Sequence, residues 1–221
     1  MDIEQARFNM IEQQIRPWDV LDIDVLKVIK DTPRELFVPM QHQKLAFSDL
    51  EIPLDHGQFM MAPKIEARML QALQIQANDK ILEIGTGSGF VTACLAKLGM
   101  HVDTVEYHED LSLHAQITLQ HQQLSNISFK IGDILDKHFL SNQINKQYDA
   151  VAITASMPVY SNFLEDYLTE NGRMFVVSGK APVMQAKIVK HISAQDFSST
   201  NLFETNLQAI IGMQAQPVFE L

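Results

Sequence analysis

A chain of 221 residues with 46% apolar and 20% charged content has room for one sizeable α/β core and an appendage, but not for two ordinary domains. Its net charge of −10, without any Lys/Arg-rich run, argues against nucleic acid as the main partner, because phosphate binding needs a basic face that releases counterions. No apolar run reaches the ~18 residues of a membrane span, and Met1-Asp-Ile-Glu lacks the basic-then-apolar start of a signal peptide. The single cysteine, Cys94, excludes an internal disulfide and a thiolate metal cluster. The cytoplasm is the expected compartment.

From residue 2 to about 60, helical signals at Ile3 to Ile15 and Asp22 to Lys30 are punctuated by Pro17, Pro33, Pro39 and Pro53. Ile65, Met69, Ala72 and Leu73 recur at helical spacing between Ala62 and Gln74, with Pro63 suited to a first helical position. Strands are expected at Lys80 to Ile84, His101 to Glu106, Ser128 to Ile131, Ala150 to Thr154 and Arg173 to Ser178. Helices are expected at Phe90 to Leu98, Glu109 to Gln122 and Asn162 to Leu168. Repeated βα units imply a mostly parallel sheet covered on both faces. Val183 to Ile192 and Leu202 to Ile211 read as two longer strands able to form an antiparallel edge. Ligands of such sheets bind beyond the carboxyl ends of the strands.

The segment Ile81-Leu-Glu-Ile-Gly-Thr-Gly-Ser-Gly-Phe90 runs from a strand through a glycine-spaced turn into a helix. Gly85, Gly87 and Gly89 let the backbone turn sharply and approach a ligand where a Cβ would collide, with Thr86 and Ser88 between them. A dinucleotide site would want G-x-G-x-x-G and a pyrophosphate on the helix end. Here the third glycine comes one residue early, and Glu83 sits near the strand's tip, where a carboxylate would repel pyrophosphate. An adenosyl ligand with an ammonium, a sulfonium and no phosphate fits that charge pattern, which points to S-adenosylmethionine.

Glu106, ending the second strand, is placed to accept from both ribose hydroxyls. Asp133 in Ile131-Gly-Asp-Ile is placed to accept from an adenine amino group, and Thr154 ends the fourth strand close to the sulfonium. Asp133 and Thr154 serve equally well as turn or helix caps. Acids at the ends of three neighbouring strands repel one another, and a cationic ligand relieves part of that. His108, His114 and His121 lack paired metal-ligand spacing, so no metal is expected, and Cys94 is expected as a small buried apolar residue.

These residues resemble the protein-L-isoaspartate O-methyltransferase family. The resemblance runs over about the first 180 residues through Met10-Ile-Glu-Gln-Gln-Ile15, Pro33-Arg-Glu-Leu-Phe-Val-Pro39, Leu45-Ala-Phe, Ile52-Pro-Leu-Asp-His-Gly-Gln58, the glycine turn, Ile131-Gly-Asp133 and Asn171-Gly-Arg173. It implies a class I, Rossmann-like, S-adenosylmethionine-dependent methyltransferase with a mostly parallel seven-stranded sheet and N-terminal helical elements. It also implies methylation of isoaspartyl carboxylates in damaged proteins. Residues 1–60 are then an appendage packed on the core, and 61–221 the methyltransferase domain.

After His-Gly-Gln the family typically reads Thr-Ile-Ser-Gln-Pro, with the serine implicated in catalysis; here the segment is Phe59-Met-Met-Ala-Pro63, with Met61 in the serine's place. A thioether is a weak acceptor and no donor. The tail from Gln208 to Leu221 also departs from the family. The acceptor site therefore reads as weakened or retargeted, with a methyltransferase of the same fold acting on another protein site or a small acid, or a non-catalytic cofactor-binding protein, as the competing readings. His56 is the remaining candidate for chemistry, either orienting the acceptor or bonding structurally in the turn beside Gly57.

Overall fold

The computed structural model describes residues 2–144, 147–193 and 196–213. Asp2 caps α1 (Ile3–Met10) by accepting from the Gln5 amide, and the chain continues through a π-helical turn at Ile11–Ile15. The helical signals from Ile3 to Ile15 thus correspond to an α-helix that runs on directly into a π-helical turn. Asp22 caps α2 (Ile23–Asp31) by accepting from the amides of Asp24 and Val25. A two-stranded hairpin, β1 (Ile52–Pro53) with β2 (Phe59–Met60), precedes α3 (Pro63–Leu73), which has proline at its start and Gln74 left-handed at its end.

The alternation then proceeds through β3 (Lys80–Ile84), α4 (Phe90–Leu98), β4 (His101–Glu106), α5 (Glu109–His121), β5 (Ile127–Ile131), α6 (Lys137–Gln143), β6 (Tyr148–Met157), β7 (Leu168–Lys180), β8 (Val183–Ser193) and β9 (Asp196–Thr205). The seven-stranded sheet has the order β5-β4-β3-β6-β7-β8-β9. The first five strands are parallel, and β8 and β9 add an antiparallel edge. This is a mostly parallel α/β sheet with helices on both faces. The connection between β3 and β4 leads outward to one side, while β6 lies on the other, so the strand order reverses beside β3, where such sheets open a crevice at their carboxyl ends.

Strand alternation divides the core. Ile81, Val102, Ala150 and Phe175 face one apolar layer with residues of α3, α4, α5 and the N-terminal elements. Leu82, Val105, Val151 and Met174 face a second layer with Leu140 of α6, Leu164 and Tyr167.

Two expectations need correction, and one helix was missed. Asn162 to Leu168 holds only a 3₁₀ turn at Glu165–Tyr167, because Leu168 already pairs with Tyr148 as the start of β7. The last strand runs over Asp196–Thr205 rather than Leu202 to Ile211, since its register with β8 begins at Ser193↔Asp196. Helix α6 was not foreseen, although Asp136 caps it by accepting from the His138 amide at 2.8 Å. Residues 214–221, the end of the divergent tail, lie outside the described residues.

Candidate active site

At the carboxyl ends of β3, β4, β5 and β6 lies a cleft of about 1000 Å³, counting the space open to solvent. Its floor is the turn after β3. Gly85, Gly87 and Gly89 have φ of +94°, +51° and +85°, conformations open to glycine without strain. A Cβ on Gly85 would strike the Thr154 hydroxyl, which donates to the carbonyls of Ile84 (2.9 Å) and Gly85 (2.8 Å). A Cβ on Gly89 would meet that of Ala115 at 3.0 Å. Gly85, Thr86, Gly87, Ser88 and Thr154 line the cleft, whereas Gly89 seats α4 against α5 outside it.

Glu106 lies beside this turn, only 6% exposed and lining the cleft. Its Oε2 accepts from the Gly87 amide at 2.9 Å, and its Oε1 accepts from the amides of Tyr107 (2.9 Å) and His108 (3.0 Å). Three backbone donors fix a carboxylate that still has lone-pair capacity toward the cleft. One strand over, Asp133 both caps and lines: its Oδ1 accepts from the Leu135 amide at 2.8 Å, and the residue forms part of the cleft wall.

Glu83 corrects the sequence reading. It is fully buried, with no place in the cleft wall, because β3 alternation turns its side chain under α4. Its Oε2 accepts from the hydroxyls of Thr92 (2.6 Å) and Thr104 (2.7 Å), while its Oε1 has no partner. Thr104 Oγ1 lies 2.6 Å from Thr86 Oγ1, so the carboxyl supports the turn through two hydroxyls rather than meeting a ligand. Burial pushes it up to about 8, against the opposing bonds from Thr104 and Thr92, with Glu106 adding to the rise.

His56 does not line the cleft either. The left-handed turn at φ +57° aims it outward, where its Nε2 lies 2.7 Å from Asp110 Oδ2 and its ring stacks on His108 at 4.1 Å. It pins the tip of the β1–β2 hairpin to the start of α5, a structural contact made to Asp110 and His108 rather than within the turn beside Gly57.

The hairpin forms the wall facing the glycine turn through Leu54, Gln58, Phe59 and Met60, followed by Met61. Met61 is 5% exposed, and its carbonyl accepts from Arg34 Nη2 at 2.8 Å. Arg34 is fully buried; its Nε donates to the Ala46 carbonyl at 2.9 Å, its Nη1 pairs with Glu66, and its guanidinium lies 4.7 Å from the Phe90 ring centre. Glu66 was missed in the sequence, where it reads as one polar residue of an amphipathic helix. It is 1% exposed and lines the cleft. Burial lifts its carboxyl to about 7 against the pull of Arg34. The other unforeseen wall is Leu207 to Ile211, brought back over β6 when the Ser156 amide donates to the Gln208 carbonyl (2.8 Å) and the Ile210 amide to the Ser156 carbonyl (2.9 Å). No local sequence signal announces that return. Among the described residues, no cluster of His, Cys, Asp and Glu is arranged to hold a metal ion, and no helix is long and apolar enough to cross a membrane.

Residues 5–207 match the family model for protein-L-isoaspartate(D-aspartate) O-methyltransferase. A protein-L-isoaspartate O-methyltransferase of Koribacter versatilis is 36% identical over 208 residues, covering 94% of this chain and 91% of its own. One from Aliivibrio salmonicida is 34% identical, covering 84% and 88%. A Plasmodium falciparum structure, described as a protein-L-isoaspartate O-methyltransferase in complex with S-adenosyl-L-homocysteine, superposes with a TM-score of 0.76 at 18% identity, covering 95% of this chain and 98% of that one. At that identity it supports the fold. The family match across nearly the whole chain and the two relatives settle the lineage: this chain belongs to the protein-L-isoaspartate(D-aspartate) O-methyltransferase family, whose members are S-adenosylmethionine-dependent methyltransferases.

Proposed function

We propose that the cleft binds S-adenosylmethionine and that the chain methylates the side-chain carboxylate of isoaspartyl residues in proteins or peptides. The observation that carries the cofactor part is Glu106: a carboxylate fixed by three backbone amides, beside a turn too tight for any Cβ at Gly85. In this reading Glu106 receives the ribose hydroxyls and Asp133 the adenine amino group. The Gly85–Ser88 backbone would support the cofactor, with Thr154 holding that turn closed through the carbonyls of Ile84 and Gly85. The cofactor supplies an electrophilic methyl group on a sulfonium.

The protein's part is positioning and exclusion of water. An ionised carboxylate attacks a sulfonium methyl without needing a base, so the residues have no proton to remove, and orientation can contribute ~7–11 kcal/mol. Arg34, through the Met61 carbonyl, fixes the wall past which the acceptor enters, and Phe59, Met60 and Met61 present apolar surface that strips water from it.

The test is incubation with methyl-labelled cofactor and an isoaspartyl peptide beside its aspartyl twin. Base-labile label on the isoaspartyl peptide alone is expected; label on neither overturns the acceptor. Met61 favours a second reading, since a thioether cannot donate to an acceptor as a hydroxyl would: the same reaction retargeted to another carboxylate, detected as labelled product in a whole-cell lysate when both peptides stay blank. The acidic composition and the single buried Cys94 fit a protein of the reducing cytoplasm that does not work on nucleic acid.

A further inference from the structure

The cofactor proposed above carries a charge that none of the residues so far assigned receives. Its amino-acid end bears an ammonium group, and burying an ammonium in a largely apolar cleft is costly without an anionic or acceptor partner. Glu83, which the sequence offered for this task, is sealed beneath the turn. The carboxylates that do line the cleft are Glu51, Glu66, Glu106 and Asp133.

The sheet orders them. Asp133 follows β5 and Glu106 ends β4, and the sheet runs β5-β4-β3-β6. A ligand with adenine at Asp133 and ribose at Glu106 extends across the end of β3, over Gly85, toward β6. Helix α3 packs on β6 and β7, the side of the sheet away from β4 and β5, and its first-turn residue Glu66 lines the same cleft. Glu51 is exposed at the mouth. Glu66 alone among the four is buried at the end away from the nucleoside. Its Oε2 is taken by Arg34 Nη1, which leaves Oε1 for a ligand.

We infer that Glu66, held in place by Arg34, receives the ammonium group of the cofactor's amino-acid end. The assignment rests on the cofactor reading above. It gives the buried Arg34–Glu66 pair a role that packing alone does not require, since such pairs are often no better for stability than apolar residues of the same volume. Arg34 also holds the Met61 carbonyl at 2.8 Å, so cofactor and acceptor walls share one anchor. The titratable groups facing Glu66 are Arg34 from the 34–36 turn and Cys94 from α4, with Glu51, Glu106 and Asp133 across the cleft. Burial lifts the Glu66 carboxyl to about 7, so its charge, and with it ammonium binding, grows through neutral pH.

The experiment compares S-adenosylhomocysteine with 5′-methylthioadenosine, which keeps the nucleoside and thioether but lacks the amino-acid end, by calorimetry on the full chain. The variants are Glu66→Gln and the double change Arg34→Met with Glu66→Gln, the second removing any uncompensated buried cation that would compromise folding. Expected is a loss on the order of tenfold or more in S-adenosylhomocysteine affinity, the size of a charge-assisted bond, with methylthioadenosine affinity kept within about twofold. The parent's preference for S-adenosylhomocysteine over methylthioadenosine should also rise between about pH 6 and pH 8 and be flat in the variants. Unchanged S-adenosylhomocysteine affinity, or an equal fall for both ligands, overturns the assignment. A parent chain that binds neither ligand overturns the cofactor reading instead, so the two failures are distinct.

Discussion

The Met61 backbone carbonyl, in the segment where this chain departs from its family, accepts a hydrogen bond from Arg34 Nη2 at 2.8 Å inside the core. The residue that follows β2 is therefore anchored through its backbone, and Met61 lines the cleft with a thioether where the family resemblance calls for a hydroxyl.

Met61→Ser restores a donor without disturbing that backbone bond. By the measure of a lost oxyanion donor, ~2.7–4 kcal/mol, the restored hydroxyl should raise kcat with an isoaspartyl peptide by about a hundredfold or more while cofactor affinity stays unchanged. A steady-state comparison of parent and variant checks it, and a kcat that does not move would show that the hydroxyl has no place in this site.

Arg34→Ala leaves Glu66 buried without its partner, a change that typically costs ~3–5 kcal/mol. Because burial already lifts the Glu66 carboxyl to about 7, protonation relieves the imbalance in acid. Urea unfolding should therefore show a larger loss at about pH 8 than at about pH 5.

Glu83 gives stability the opposite sign from an ordinary paired carboxylate. Its folded value, about 8, lies above the ordinary 4.5, so the folded chain holds a proton that the unfolded chain releases. The contribution is fully present below about 4.5 and is lost as pH rises through 8. Glu83→Gln, which keeps an acceptor for Thr92 and Thr104, should raise Tm at about pH 8 and change it little at about pH 4.5, as read by differential scanning calorimetry.

Glu106→Ala removes the ribose carboxylate and strands the amides of Gly87, Tyr107 and His108. S-adenosylhomocysteine affinity should fall by about tenfold to a hundredfold, as expected for the loss of bonds to a charged group. Calorimetry reads this directly, and an unchanged affinity would contradict the placement of the ribose.

His56→Ala tests the corrected role of that histidine. Its bond to Asp110 is on the surface, with side chains 41% and 51% exposed, where such contacts contribute little. Saturating kcat should stay within about twofold, and a collapse of kcat would restore His56 to the chemistry.

How far the site was legible follows the reach of each signal. Gly85, Thr86, Gly87, Ser88 and Glu106 could be found because a strand, a tight turn and a helix must follow one another in sequence for the motif to exist at all, and the structure puts all five in the cleft wall. Glu83 was misplaced by half a strand period: alternation sends successive side chains to opposite faces, and the motif's acid falls on the face covered by α4. Glu66 and the Leu207 to Ile211 wall were invisible, because their positions depend on where α3 packs and on a return to Ser156 across 51 residues.

The order of apolar runs, the glycine spacing and the strand-end carboxylates are local features, and local sterics and alternation were enough to determine a parallel α/β sheet with a nucleoside-type turn. The partner of each buried charge was decided only by tertiary structure. Burial forces a carboxyl to find a donor wherever the fold brings one, so Glu83 pairs with Thr92 and Thr104, and Glu66 with an arginine 32 residues before it.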